Sequence, residues 1–122
     1  MNRRILIVED ETILREAYSI VLESFGFEVS TAANGQIALD TLAHGLPDLI
    51  LLDLLMPVMG GKQFLEQSNI LAEHPEVKVL VYSNLSDQAT IKSLLELGVK
   101  EHILKSSMSP SDLATYIEAA FA

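Results

Sequence analysis

The sequence has no cysteine and no tryptophan, only eight lysines and arginines, and no long apolar run. Without cysteine there is no disulfide framework, no thiolate metal site and no thiol nucleophile, and a reducing compartment fits. Eight basic residues stand against 17 acidic ones, a net charge of −9. A nucleic-acid surface needs a basic face, so direct contact with nucleic acid is not expected. The start Met1-Asn2-Arg3-Arg4 is basic, but only Ile5 to Val8 follow before charge returns at Glu9. That is too short for a secretory signal, and no stretch could span a bilayer. The expectation is a cytoplasmic protein with no membrane contact. His44, His74 and His102 fall at no metal-ligand spacing.

What is present is apolar and regularly spaced. Of the 122 residues, 49% are apolar, enough for one domain over 1–122, whether free-standing or part of a longer chain. Short continuous aliphatic runs at 4–8, 27–32, 48–53, 77–82 and 101–104 suit strands buried on both faces. Helical spacing fills the intervals: 11–25 stopped by Gly26, a short helix from Asn34-Gly35 to about Ala43, 61–73, and 87–97 ending at Gly98. Ser109 and Pro110 open a fifth helix as N-cap and first-turn proline. Five strands alternating with five helices imply a doubly wound parallel α/β sheet with helices on both sides.

Ligands of such sheets bind beyond the carboxyl ends of the strands, so the residues that end each strand identify the site. Strand one runs into Glu9 and Asp10, strand three into Asp53, strand four into Ser83 and strand five into Lys105. Each has an ordinary explanation when taken singly. Acids suit a helix start, an aspartate or a serine ends strands at turns, and lysines are usually solvated. Together at one rim they have a chemical reading. Crowded carboxylates repel unless a cation neutralises them, and Mg²⁺ favours oxygen ligands, few of them from protein. Asp53 could then attack a phosphoryl group and become an acyl phosphate, with Ser83 and Lys105 contacting the phosphoryl oxygens.

At this point the blocks ILIVEDE, LILLDLLMPVMGG, VLVYSN and GVKEHILKS, correctly spaced, resemble the receiver domain of two-component response regulators over essentially the whole chain. The resemblance implies a flavodoxin-like sheet of order 2-1-3-4-5 and a phosphorylation-dependent switch that is not an enzyme in the usual sense. It implies Mg²⁺ on Glu9, Asp10, Asp53 and the backbone carbonyl of Leu55. Asp53 becomes the acceptor, and a sensor histidine kinase or histidine phosphotransfer protein the donor. Ser83 and residue 102 become the switch pair. A downstream protein or a fused output domain receives the signal. Leu94, Leu95 and Leu97 cannot all face one side, so a homodimer through the fourth helix, fifth strand and fifth helix is compatible with the pattern.

Four residues depart from the family pattern. Gly60 stands for the usual Asp or Asn, with Gly61 expected to keep the helix start flexible, and Asn84 replaces a small residue beside Ser83. Ser106 replaces a proline that usually carries a cis bond, which is costly for any other residue, so a trans bond is expected there. His102 takes the place of an aromatic switch residue, and its ordinary pKa would allow a pH-sensitive switch. Leu55 and Leu85 border the phosphoryl position in the family. Apolar side chains there predict slow autodephosphorylation, which polar replacements should speed. Three other classes would ask something different of the same sheet. A dehalogenase-type phosphatase would want a second carboxylate where Leu55 stands. A nucleotide or flavin carrier would want a glycine-rich loop after strand one, where Glu9-Asp10-Glu11 stands. A pseudo-receiver would keep the fold without accepting a phosphoryl group.

Overall fold

The central strands consist of residues that suit burial on two sides, whereas the edge strands at 28–32 and 101–104, also expected to be buried, are largely exposed because each pairs on one side only. In β1 (Arg4–Val8) and β3 (Leu49–Leu52) all but Arg4 are buried, because helices cover both faces of the sheet. The chain continues through α1 (Thr12–Ser24), β2 (Glu28–Ala32) and α2 (Gly35–Leu42) before β3, and then α3 (Gly61–Ser68), α4 (Ile70–Glu73) and β4 (Lys78–Ser83). It closes with α5 (Gln88–Leu97), β5 (Glu101–Leu104), a 3₁₀ turn at Lys105–Ser107 and α6 (Pro110–Ala120). The computed structural model describes residues 2–84 and 88–122.

The sheet is parallel throughout, in the order β2-β1-β3-β4-β5. Side chains alternate between two cores. Ile5, Ile7, Leu49, Leu51, Leu80 and Tyr82 pack on Tyr18 and Leu22 of α1 and on Leu113, Ala114 and Ile117 of α6. Leu6, Val8, Ile50, Leu52, Val79 and Val81 pack on Ala38 of α2, Phe64 and Leu65 of α3 and Leu94 of α5. The helical spacing read from the sequence tracks the buried stripe at Tyr18 and Leu22 of α1 and at Leu113 and Ile117 of α6, whereas Ile13 in the apolar series of α1 is 83% exposed.

The helix expected over 61–73 is broken. Asn69 takes a left-handed conformation (φ 51°) that ends α3 and starts α4, and asparagine is one of the few side chains that adopts it readily. The five helices expected from the sequence thus become six α-helices among the described residues. Ser109 and Pro110 begin α6 as expected. The Ser109 hydroxyl accepts from the Asp112 amide and the Asp112 carboxylate accepts from the Ser109 amide. Gly61 is needed for space rather than flexibility. A Cβ there would strike the Asp53 carbonyl oxygen and lie 3.0 Å from the Leu54 Cα. The close approach of α3 fixes the end of β3.

Candidate functional site

The sheet ladder itself sets the acidic residues. The Glu9 amide donates to the Ala32 carbonyl at 3.0 Å and the Asp53 amide to the Val8 carbonyl at 3.0 Å, which fixes both backbones as the strands end. One carboxylate oxygen each from Glu9, Asp10 and Asp53 lies within 4.8 Å of the others. Lys105 enters from the turn after β5. Its Nζ sits 2.9 Å from Glu9 Oε1 and 3.1 Å from Asp53 Oδ2. Glu9 and Asp53 are buried, and Asp10 is half-buried.

Three carboxylates and one ammonium leave two negative charges. That is the charge and the all-oxygen chemistry that a hard divalent cation matches. The two buried acids respond differently. Burial works against the Glu9 charge, but the Glu11 amide, the Lys105 ammonium and the Tyr82 hydroxyl outweigh it and hold its pKa below the ordinary value. Asp53 is pushed up to about 6, first by burial and then by the Glu9 charge. Lys105 and the Leu55 amide, 3.4 Å from Asp53 Oδ1, offset this only in part. Burial opposes the Lys105 charge, yet its hydrogen bond to Glu9 and the Asp53 charge raise its pKa. The ammonium is locked in its charged form.

Ser83, buried at the end of β4, meets His102 of β5, with Oγ 3.0 Å from Nε2. Burial lowers the His102 pKa, so the imidazole is neutral at neutral pH, the state that exchanges a hydrogen bond with a hydroxyl. The Lys105–Ser106 bond is trans, as no cis peptide occurs among the described residues. Leu55 is 67% exposed, Asn84 is exposed, and Leu85 lies outside the described residues.

Three features of the site were not legible in advance. Tyr82 donates to Glu9 Oε1 at 2.7 Å, its ring at right angles to Tyr18 with centroids 5.3 Å apart. Its signal in the sequence is a polar tip after the aliphatic Val79-Leu80-Val81. Arg15, from α1, donates to the Glu9 carbonyl at 2.8 Å and holds the loop after β1. Val58 has a positive φ of 68°, a costly conformation for a β-branched residue, in the loop that carries Leu55.

Comparison with known proteins gives the arrangement its context. The profile of the response regulator receiver domain matches residues 5–118. The chain belongs to this family. It is similar to the phosphate regulon transcriptional regulatory protein PhoB of Klebsiella pneumoniae, 35% identical over 119 residues, 98% of this chain and 52% of that protein. It is also similar to sporulation initiation phosphotransferase F of Bacillus subtilis, 33% identical over 105 residues, 86% of this chain and 83% of that one. A CheY-like receiver domain from Methanospirillum hungatei superposes with a TM-score of 0.88 at 28% identity, covering 98% of this chain and 94% of that one. The chain spans about half the length of relatives such as PhoB. Receiver domains are signalling phosphoacceptor modules of two-component systems. They bind Mg²⁺ at an acidic pocket and work with histidine kinases or phosphotransfer proteins and output domains. Among the described residues, no helix is long and apolar enough to cross a membrane.

Proposed function

We propose that this receiver domain is a phosphorylation-operated switch with Asp53 as the acceptor. The observation that carries the reading is the position of Asp53. It is buried, within a single ion's reach of Glu9 and Asp10, with one oxygen on Lys105 and the other on the Leu55 amide.

Glu9, Asp10, Asp53 and the Leu55 carbonyl would hold Mg²⁺, which supplies positive charge to the phosphoryl oxygens. Asp53 acts as nucleophile. Its carboxylate oxygen forms a bond to phosphorus as the bond to the donor nitrogen breaks, and the leaving imidazole keeps the electron pair and takes a proton. Lys105 Nζ moves from Asp53 Oδ2 to an oxygen of the incoming group, so that charge is stabilised where it develops. Ser83 Oγ leaves His102 for another phosphoryl oxygen, and His102 is then freed to reposition on β5. Signal would pass to a partner protein or fused output domain through α5, β5 and α6. On that surface Leu95, Leu97 and Leu104 are exposed whereas Leu94 is buried, and a homodimer through it fits the same pattern. The donor is a sensor kinase or phosphotransfer protein, and the setting is cytoplasmic.

Incubation with acetyl phosphate and Mg²⁺, read by intact mass, should add one phosphoryl group. Asp53→Asn or a chelator should abolish the gain. A folded parent chain that takes up nothing would make this an interaction module on a receiver fold, not a phosphorylated switch.

A further inference from the structure

Glu9 Oε1 accepts two donors, the Tyr82 hydroxyl at 2.7 Å and the Lys105 ammonium at 2.9 Å. A carboxylate oxygen has room for about two such bonds, so that oxygen is saturated. Oε2 accepts the Glu11 amide at 3.0 Å. The same tyrosine also lies against the lysine, with Lys105 Nζ 5.2 Å from the ring centroid, within cation–π range. Tyr82 is almost wholly buried and its ring is gripped by Tyr18. One rigid side chain therefore touches two of the three charged groups around Asp53, Glu9 and Lys105 but not Asp10.

Lys105 is shared between two acids. Its ammonium is 2.9 Å from Glu9 and 3.1 Å from Asp53. A buried carboxylate that lacks a donor pulls harder on those that remain. The Tyr82 hydroxyl satisfies part of Glu9 and so weakens its hold on the lysine. We propose that Tyr82 is a positioning residue that shares Glu9 with Lys105 and so leaves the ammonium available to Asp53. The inference rests on Asp53 being the acceptor, and it assigns to a strand residue the partition of charge around that acceptor.

Tyr82→Phe removes the hydroxyl and keeps the ring. In crystals of the variant grown with chelator, Lys105 Nζ should remain on Glu9 and withdraw beyond about 4 Å from Asp53. With acetyl phosphate at saturating Mg²⁺, the phosphorylation rate should fall about tenfold, the size of a lost bond to a charged group. Tyr82→Leu, which loses the ring contact as well, should fall further. In a Glu9→Gln background, Tyr82→Phe should change the rate by less than about twofold, since the two act through one contact. A tyrosine that merely fills the core would lower the melting temperature and leave Lys105 on Asp53. Lys105 still bridging both acids in the Tyr82→Phe crystals, an unchanged rate, or an equal loss in the Glu9→Gln background overturns the proposal. A parent chain that accepts no phosphoryl group overturns the acceptor role instead, and the chelated crystals still decide the role of Tyr82.

Discussion

Asp53→Asn is expected to melt higher than the parent chain when Mg²⁺ is chelated, and to lose that advantage when Mg²⁺ is added. The Asp53 carboxyl has its pKa raised from 3.8 to about 6, by burial first and then by Glu9. A raised carboxyl pKa means that the folded state tolerates the charge less well than the unfolded chain does. The corresponding loss of stability at neutral pH is on the order of 3 kcal/mol. Asparagine removes the charge, keeps the shape and leaves Lys105 paired with Glu9. For a domain of this size the gain amounts to roughly 10–15 °C in melting temperature. Mg²⁺ acts in the other direction, because it binds the folded parent and needs the acid. At a hundred times its dissociation constant it stabilises by about 2.7 kcal/mol, and at a thousand times by about 4.1 kcal/mol. The two melting curves should therefore cross as Mg²⁺ is titrated.

The same shift sets a pH window. In chelator, the contribution of Asp53 is most favourable below about pH 4, where the group is protonated in both states. Stability is then lost as pH rises from the unfolded value of 3.8 to the folded value of about 6. Glu9 has the opposite sign. Its folded pKa is lowered, so its contribution is present above its ordinary 4.5 and disappears only as pH falls below that. A loss of stability between about pH 4 and 6 that Asp53→Asn removes therefore belongs to Asp53. Urea melts of both chains across that range, with chelator present, measure it. A parent chain as stable as the variant at neutral pH without Mg²⁺ would sink the account.

Strand identity was legible because burial on both faces demands runs such as Ile5-Leu6-Ile7-Val8 and Leu49-Ile50-Leu51-Leu52, which few other elements tolerate. The site residues were legible because topology sends every strand end to one rim. Glu9, Asp10, Asp53 and Lys105 do meet there, while Ser83 meets His102. What sequence could not give was contact between residues distant in the chain. Tyr82 and Glu9 are 73 positions apart, and no periodicity announces a hydroxyl that reaches from β4 across β3 to the end of β1. Asn69 was hidden for a local reason. Its neighbours keep helical spacing across the break, so only the left-handed turn itself reveals it. The steric role of Gly61 is not legible either, since its close approach to the Asp53 carbonyl cannot be seen in a sequence.

Replacing Lys105 should move Mg²⁺ binding and phosphoryl transfer in opposite directions. Lys105→Met keeps a long unbranched side chain and removes the one ammonium held by Glu9 and Asp53. Both carboxylates are buried, and a buried pair broken on one side costs about 3–5 kcal/mol. Without metal, the variant should therefore unfold at much lower urea than the parent. The three carboxylates then carry three negative charges instead of a net two, so a divalent cation is attracted more strongly. Its dissociation constant should tighten by about tenfold, a change of roughly 1.4 kcal/mol. Transfer should not benefit. The lysine is the group that can follow charge onto the phosphoryl oxygens, and losing one such preorganised donor slows chemistry by about a hundredfold. Calorimetry with Mg²⁺ and initial rates from acetyl phosphate at saturating Mg²⁺ separate the two effects. A variant that was simply misfolded would lose both together. Weaker Mg²⁺ binding by a folded Lys105→Met chain would mean that the lysine helps to build the cation pocket and does not compete with the ion for the same negative charge.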